Sequence, residues 1–207
     1  SLPFYITAFF SLLSLLIVAV WFKESHKTLK KFKIDIFEGI KNITQTFYMK
    51  KLKPLYLVYL LWILGWAVVF QWFNPYSIQH YDATDTQITW GMCLFGMTWM
   101  LGGYFINDYL AKRYHVRPIL LVTILLTILG VIAMWMAPNF LFFALIMSLT
   151  AIPAAISWPN ILNVISMNAN ENIQGKIMGI SQSSQAVGFI FATVIGAIFG
   201  GGQANYL

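Results

Sequence analysis

The side chains able to do chemistry are few, and they are kept apart. His26, His80 and His115 fall in three separate polar stretches, and Cys93 stands alone inside an apolar one, where a small buried thiol is expected. A metal site or a catalytic centre needs such groups gathered at one place, so this spacing predicts no metal, no cofactor and no enzyme. Intramembrane carboxylates, which a proton relay would use, are equally missing from the long apolar stretches. What remains is aromatic and neutral polar. Trp62, Trp66, Phe70 and Phe73 recur at helical spacing, with Gln71 and Asn74 beside them, and such a wall suits an organic solute held by stacking and a few hydrogen bonds. Asn160 and Asn163, and further on Gln182 and Gln185, are the other carboxamides placed to join a substrate cavity.

The elements that must carry these residues are six apolar segments, 3–22, 54–74, 88–107, 118–137, 140–165 and 177–201, none holding a charged side chain. Each is close to the roughly 20 residues that a helix needs to cross about 30 Å of hydrocarbon. Lipid gives the backbone no hydrogen-bond partner, so unbroken runs of this length predict spanning helices; a barrel would show ten-residue alternation instead. The fold class is therefore all-α, a polytopic membrane protein. A mean hydropathy of +0.71 with 10% charged residues agrees.

All thirteen Lys and Arg residues lie in 23–53, 112–117 and at 176. In a soluble protein a net charge of +6 would suggest a nucleic-acid partner. Here the basic clusters track alternate loops, which signals orientation: 23–53, 112–117 and Lys176 are expected in the cytoplasm and 75–87 outside. Within 23–53, Ile36, Ile40, Ile43 and Phe47 share one helical face behind an Asp35–Glu38 capping pair, predicting an amphipathic helix over 35–48.

Carboxamides are absent from the first and fourth segments and present in the other four, so the first and fourth are expected at the periphery, facing lipid. Small residues four apart, Gly175 with Gly179, Ser184 with Gly188 and Gly196 with Gly200, mark the sixth segment as closely packed. Pro153 and Pro159 interrupt the fifth segment's hydrogen-bond ladder, as kinked or gate-forming helices do.

The stretch from Gly102 to Arg117 resembles the second copy of the loop motif of the major facilitator superfamily, a Gly, an Asp four residues on, then basic residues. Gly103, Lys112, Arg113 and Arg117 match it, while Asn107 stands where the Asp would be and Asp108 follows one place late. Phe22-Lys23-Glu24-Ser25-His26 resembles the signature that ends the family's sixth helix. Asn172 to Gly179, with Gln174, Gly175 and Gly179, resembles the start of the eleventh helix in the drug:proton antiporter branch.

The resemblance implies a fragment covering helices six to eleven of a twelve-helix transporter. Residues 1–22 would be the last helix of the N-terminal half, 23–53 the cytoplasmic loop between halves, and 54–207 the C-terminal half without its last helix. It further implies secondary active transport of a small organic solute by alternating access, coupled to protons and directed outward. The setting implied is the bacterial inner membrane, with the bilayer, protons and the missing N-terminal half as partners and no nucleic acid. A nutrient or metabolite importer on the same scaffold, and a non-transporting receptor or assembly subunit of the membrane, remain the alternatives.

Overall fold

A computed structural model describes residues 2–21, 52–168 and 174–200. The expected amphipathic helix at 35–48 and the Phe22–His26 signature lie outside them. The chain divides into two units, Ser1–Ile36 and Phe37–Leu207. The first contains α1 (Leu2–Trp21), an unbroken apolar helix whose Ser11 and Ser14 hydroxyls donate to the carbonyls of Thr7 and Phe10, so that it satisfies its own polar groups.

The second unit holds α2 (Lys53–Tyr81), α3 (Asp85–Met100), a π-helical stretch Leu101–Ile106, α4 (Asn107–Ala111), α5 (Val116–Trp135), α6 (Phe140–Met167) and α7 (Gln174–Gly200). Five helices of the described chain are long and apolar enough to cross a membrane. The sixth expected crossing is composite: α3, the π turns and α4 follow one another without a break from Asp85 to Ala111. Wide π turns fall where Gly102 meets the backbone of α6. A Cβ on Gly102 would lie 2.6 Å from the Ile152 carbonyl oxygen, so only glycine permits this approach.

The largest correction concerns 75–87, expected as an outer loop. Helix α2 runs through Pro75 to Tyr81, and the connection shrinks to Asp82, Ala83 and Thr84. Pro75 removes one ladder donor, yet the Ser77 hydroxyl bonds the Phe73 carbonyl at 2.6 Å and the turn persists. Asp82 then takes a left-handed conformation, φ 50°, and the amides of Asp82 and Ala83 close on the carbonyls of Ile78 and Ser77. Two residues later Thr84 and Gln87 form a reciprocal capping box that starts α3. A polar-looking run thus serves as one helix end and the next helix start. Cys93, expected buried, is exposed.

Helix α6 is the hub: it packs along α5 and along α3 with its π turns, and also meets α2 and α7. Of its most apolar window 61% is buried, against 22% for α5, whose main partner is α6 alone. Pro153 and Pro159 both lie inside this continuous helix. The Ser157 hydroxyl lies within hydrogen-bond distance of both the Pro153 carbonyl and the Thr123 hydroxyl of α5, its one proton serving either, which joins the hub to its outer neighbour.

Helix α2 takes α7 as its main partner. Tyr56 donates to the Ile177 carbonyl near one end, and Gln71 bonds Phe189 and Thr193 further along. Between and beyond these, Gly188 lies against Ile63 and Gly196 against Trp72, where any Cβ would collide. Gly179 has open space around it, so it marks no helix contact.

Two apolar cores result, one at each end. Tyr56, Tyr59, Ile63, Ile161, Ile165, Ile177 and Ile180 fill the Lys53 end, and Phe73, Ile88, Met134, Phe143 and Met147 fill the Tyr81 end. Between them the packing opens.

Candidate functional site

The opening sits where the middle of α2 faces α3, α6 and α7. It has a volume of about 290 Å³ and is lined by Trp62, Ile63, Trp66 and Phe70 of α2, Phe95, Gly96 and Trp99 of α3, Trp158 of α6, and Gln185 and Phe189 of α7. Spacings of four along α2 and α3 place these rings on the facing stripes of the two helices. Trp66 is the centre of the wall. Its ring lies 6.3 Å from Trp62, 6.1 Å from Phe95 and 5.5 Å from Trp99, with interplanar angles of 16°, 23° and 29°. Trp99 passes the contact on to Trp158 at 6.1 Å, and Phe70 meets Phe95 at 5.7 Å.

None of these lining residues ionises near neutral pH, so the cleft holds no general acid, base or nucleophile. Its polar content is nonetheless distinctive. Trp62 Nε1, Trp158 Nε1 and Gln185 Oε1 are shut off from water and make no hydrogen bond. Trp158 Nε1 neighbours the buried Tyr59 hydroxyl, but the two are not aligned as a hydrogen bond. A buried polar atom without a partner costs about 1–3 kcal/mol, and three of the five such side-chain atoms among the described residues belong to the lining of this one opening.

A second opening, about 430 Å³, lies on the other side of Trp62 and Trp66, between α2 and α5. It is larger but chemically plain. Val58, Leu61, Ile124, Ile128, Val131 and Ile132 line most of it, and the hydroxyl of Thr127 is already spent on the Thr123 carbonyl.

Of the eight cavity candidates, the structure brings Trp62, Trp66 and Gln185 together in the aromatic cleft. Gln71 instead ties α2 to α7: its Nε2 donates to the Phe189 carbonyl at 3.1 Å and its Oε1 accepts from Thr193 at 2.6 Å. Asn74, Asn163 and Gln182 are exposed and line neither opening. Asn160 is buried and bridges to the loop motif, its Nδ2 donating to Asn107 Oδ1 at 2.6 Å and to the Ile156 carbonyl at 2.7 Å.

The remaining motif residues are local. Gly103 faces Ala155, with 3.7 Å between a built Cβ and the Ala155 methyl. Asp108 and Lys112 form an exposed ion pair at 2.6 Å one turn apart, and Arg113 lies 4.3 Å over the Tyr109 ring. Arg117 is exposed in the first turn of α5.

Phe95, Gly96, Trp99, Trp158 and Phe189 are lining residues that the spacing within one segment does not single out. Phe95 and Trp99, four apart, carry the same signal as Trp62 and Trp66 and would have been found by pairing aromatic stripes between segments.

Against known proteins, residues 1–193 match the model of the Major Facilitator Superfamily. No curated protein and no solved structure matches the chain. A match over nearly the whole sequence, on a bundle of long apolar helices, makes this chain a member of the Major Facilitator Superfamily, an integral membrane protein of a family of secondary transporters for small-molecule substrates.

Proposed function

We propose that the protein exports a small organic solute by alternating access, coupled to protons, with the aromatic cleft as part of the substrate-binding wall. The observation that carries this reading is the cleft itself: seven aromatic rings around an opening of about 290 Å³, no ionisable lining residue, and three unpartnered polar atoms beside it. Stacking and a few hydrogen bonds are what such a site offers an incoming molecule. Proton coupling needs titratable groups, and the cleft has none, so on this reading the carboxylates lie in the other half of a longer transporter, in a bacterial inner membrane. The outward direction and the drug:proton branch rest on the motif resemblance at 172–179.

Inverted membrane vesicles test it. An imposed gradient, acid inside, should drive accumulation of an aromatic fluorescent dye, and a protonophore should abolish it. Trp62→Ala should slow the dye severalfold at unchanged abundance in the membrane. Accumulation indifferent to the protonophore overturns proton coupling, and accumulation only in right-side-out vesicles assigns uptake instead.

A further inference from the structure

Apart from Gly103, whose Cβ would make an ordinary contact with Ala155, the glycines inside the described helices divide into two kinds. At Gly91, Gly102, Gly130, Gly188 and Gly196 an added Cβ would press on a neighbouring helix: on Phe73 at 3.3 Å, on the Ile152 backbone at 2.6 Å, and on Thr150, Ile63 and Trp72. Close packing explains them. At Gly65, Gly96 and Gly179 the same Cβ would meet nothing within 4 Å. Glycine inside a helix is about 1 kcal/mol less favourable than alanine, so an open glycine asks for another reason. Gly65 faces the plain groove beside α5 and Gly179 lines neither opening, whereas Gly96 lines the aromatic cleft, in the turn between Phe95 and Trp99.

We infer that Gly96 is the specificity-determining position of the cleft, keeping open a slot that takes the flat ring of an uncharged, conjugated solute with a hydrogen-bond acceptor on its edge. This deepens the reading of the cleft as a substrate wall and rests on it. Planarity follows from the rings. Trp62, Trp66, Phe95 and Trp99 each lie within 16–38° of the plane of a neighbour, so one flat molecule can stack along the whole set, and a globular one cannot. The edge chemistry follows from the unpartnered atoms. The indole N–H groups of Trp62 and Trp158 are donors, and a small turn of either ring presents its N–H to an acceptor such as a lactone or amide carbonyl; Gln185 Oε1 can meet a donor beside it. Charge is disfavoured because no opposite charge lines the cleft, and a cation brings no acceptor for the indoles.

The test uses the purified protein in lipid nanodiscs and 7-amino-4-methylcoumarin, which is flat and uncharged and carries a carbonyl and an amine. Quenching of tryptophan emission reports its binding. Gly96→Leu should weaken it by about tenfold or more, because the side chain fills the slot, and Gly96→Ala by less. Gly65→Leu, in the other groove, should leave it unchanged. Trp62→Phe, which keeps the ring and removes the N–H, should weaken it severalfold. 1-Adamantanol, uncharged but globular, and ethidium, flat but cationic, should bind more weakly than the coumarin.

Wild-type affinity for Gly96→Leu would overturn the slot. So would 1-adamantanol or ethidium binding as tightly as the coumarin, or no coumarin binding by the unaltered protein. A lowered melting temperature for Gly96→Leu at unaltered affinity would assign the glycine to helix packing. The underlying reading fails separately: if Trp62→Ala leaves vesicle transport untouched, the cleft is not the substrate wall, whereas slowed transport with a tolerated Gly96→Leu retains the cleft and discards the slot.

Discussion

Along α2, Trp62, Trp66 and Phe70 border the aromatic cleft, while Phe73, with Tyr76 and Tyr81 packed against it, belongs to the apolar core at the Tyr81 end and leaves only a groove of about 370 Å³ on the side of α5, although the two sets continue one another. Phe73 is only 1% exposed and lies parallel to Phe143 at 5.5 Å. Tyr76 and Tyr81 close on the same ring at 5.3 and 5.4 Å, and the Tyr81 hydroxyl is held by the Ala137 carbonyl. The difference lies in the hub, not in α2. Opposite the core part α6 contributes Phe143 and Met147; further on, its buried positions before Trp158 are small, Ser148, Thr150, Ala151, Pro153, Ala154, Ala155 and Ser157, with Ile156 the one exception. Large rings on one helix make a core where the partner also supplies bulk, and a cleft where it does not.

The largest expected effect breaks the core half. Phe73→Ala removes a buried ring stacked on Phe143, and should cost about 3 kcal/mol or more of stability, read as a lower melting temperature in detergent. Coumarin affinity of the surviving folded protein should hold. In the open half the order reverses. Trp62→Ala loses one stacking face, so affinity should fall by about 1 kcal/mol's worth, roughly fivefold, with little change in melting. Trp66, buried among three rings, should show both losses at once. Equal melting shifts for Phe73→Ala and Trp62→Ala would erase the distinction between core and cleft.

How far the sequence foretold this arrangement differs by layer. Apolar length and the absence of charge made the helical membrane fold legible, because hydrogen-bond satisfaction in lipid leaves few alternatives. Helix ends at 75–87 were misread: Pro75, Ser77 and His80 look like a loop, and only the Ser77 bond to Phe73 and the left-handed Asp82 show that the helix continues. At the site, Trp62 and Trp66 could be chosen from spacing alone. Phe73 shares their stripe and could not be separated from them, since its partner Phe143 lies on a helix that spacing within one segment says nothing about. Carboxamides were legible as polar points but not by role: Gln71 and Asn160 join helices, and Gln185 borders the cleft. Asn107 illustrates the same limit. Read as a departure from an acidic motif, it accepts a hydrogen bond from Asn160, which a carboxylate would also do.

Gln71 sits at the boundary between the two halves, and the smallest effect is expected there. Its amide reaches α7 twice, to the Phe189 carbonyl and to the Thr193 hydroxyl, yet that hydroxyl also lies 2.9 Å from the same carbonyl and turns its one proton to it when the amide is gone. Gln71→Leu therefore orphans neither group, because Thr193 and Phe189 keep each other. Interhelical hydrogen bonds in membranes average about 0.6 kcal/mol, and the leucine retains most of the packing volume, so stability should drop by about that amount. Coumarin affinity should not move, since Gln71 borders no opening. Affinity lost at unchanged melting would mean that the amide leaves α7 to meet the solute, and the open half of α2 would then extend one turn further toward Tyr81 than the packing of Phe73 implies.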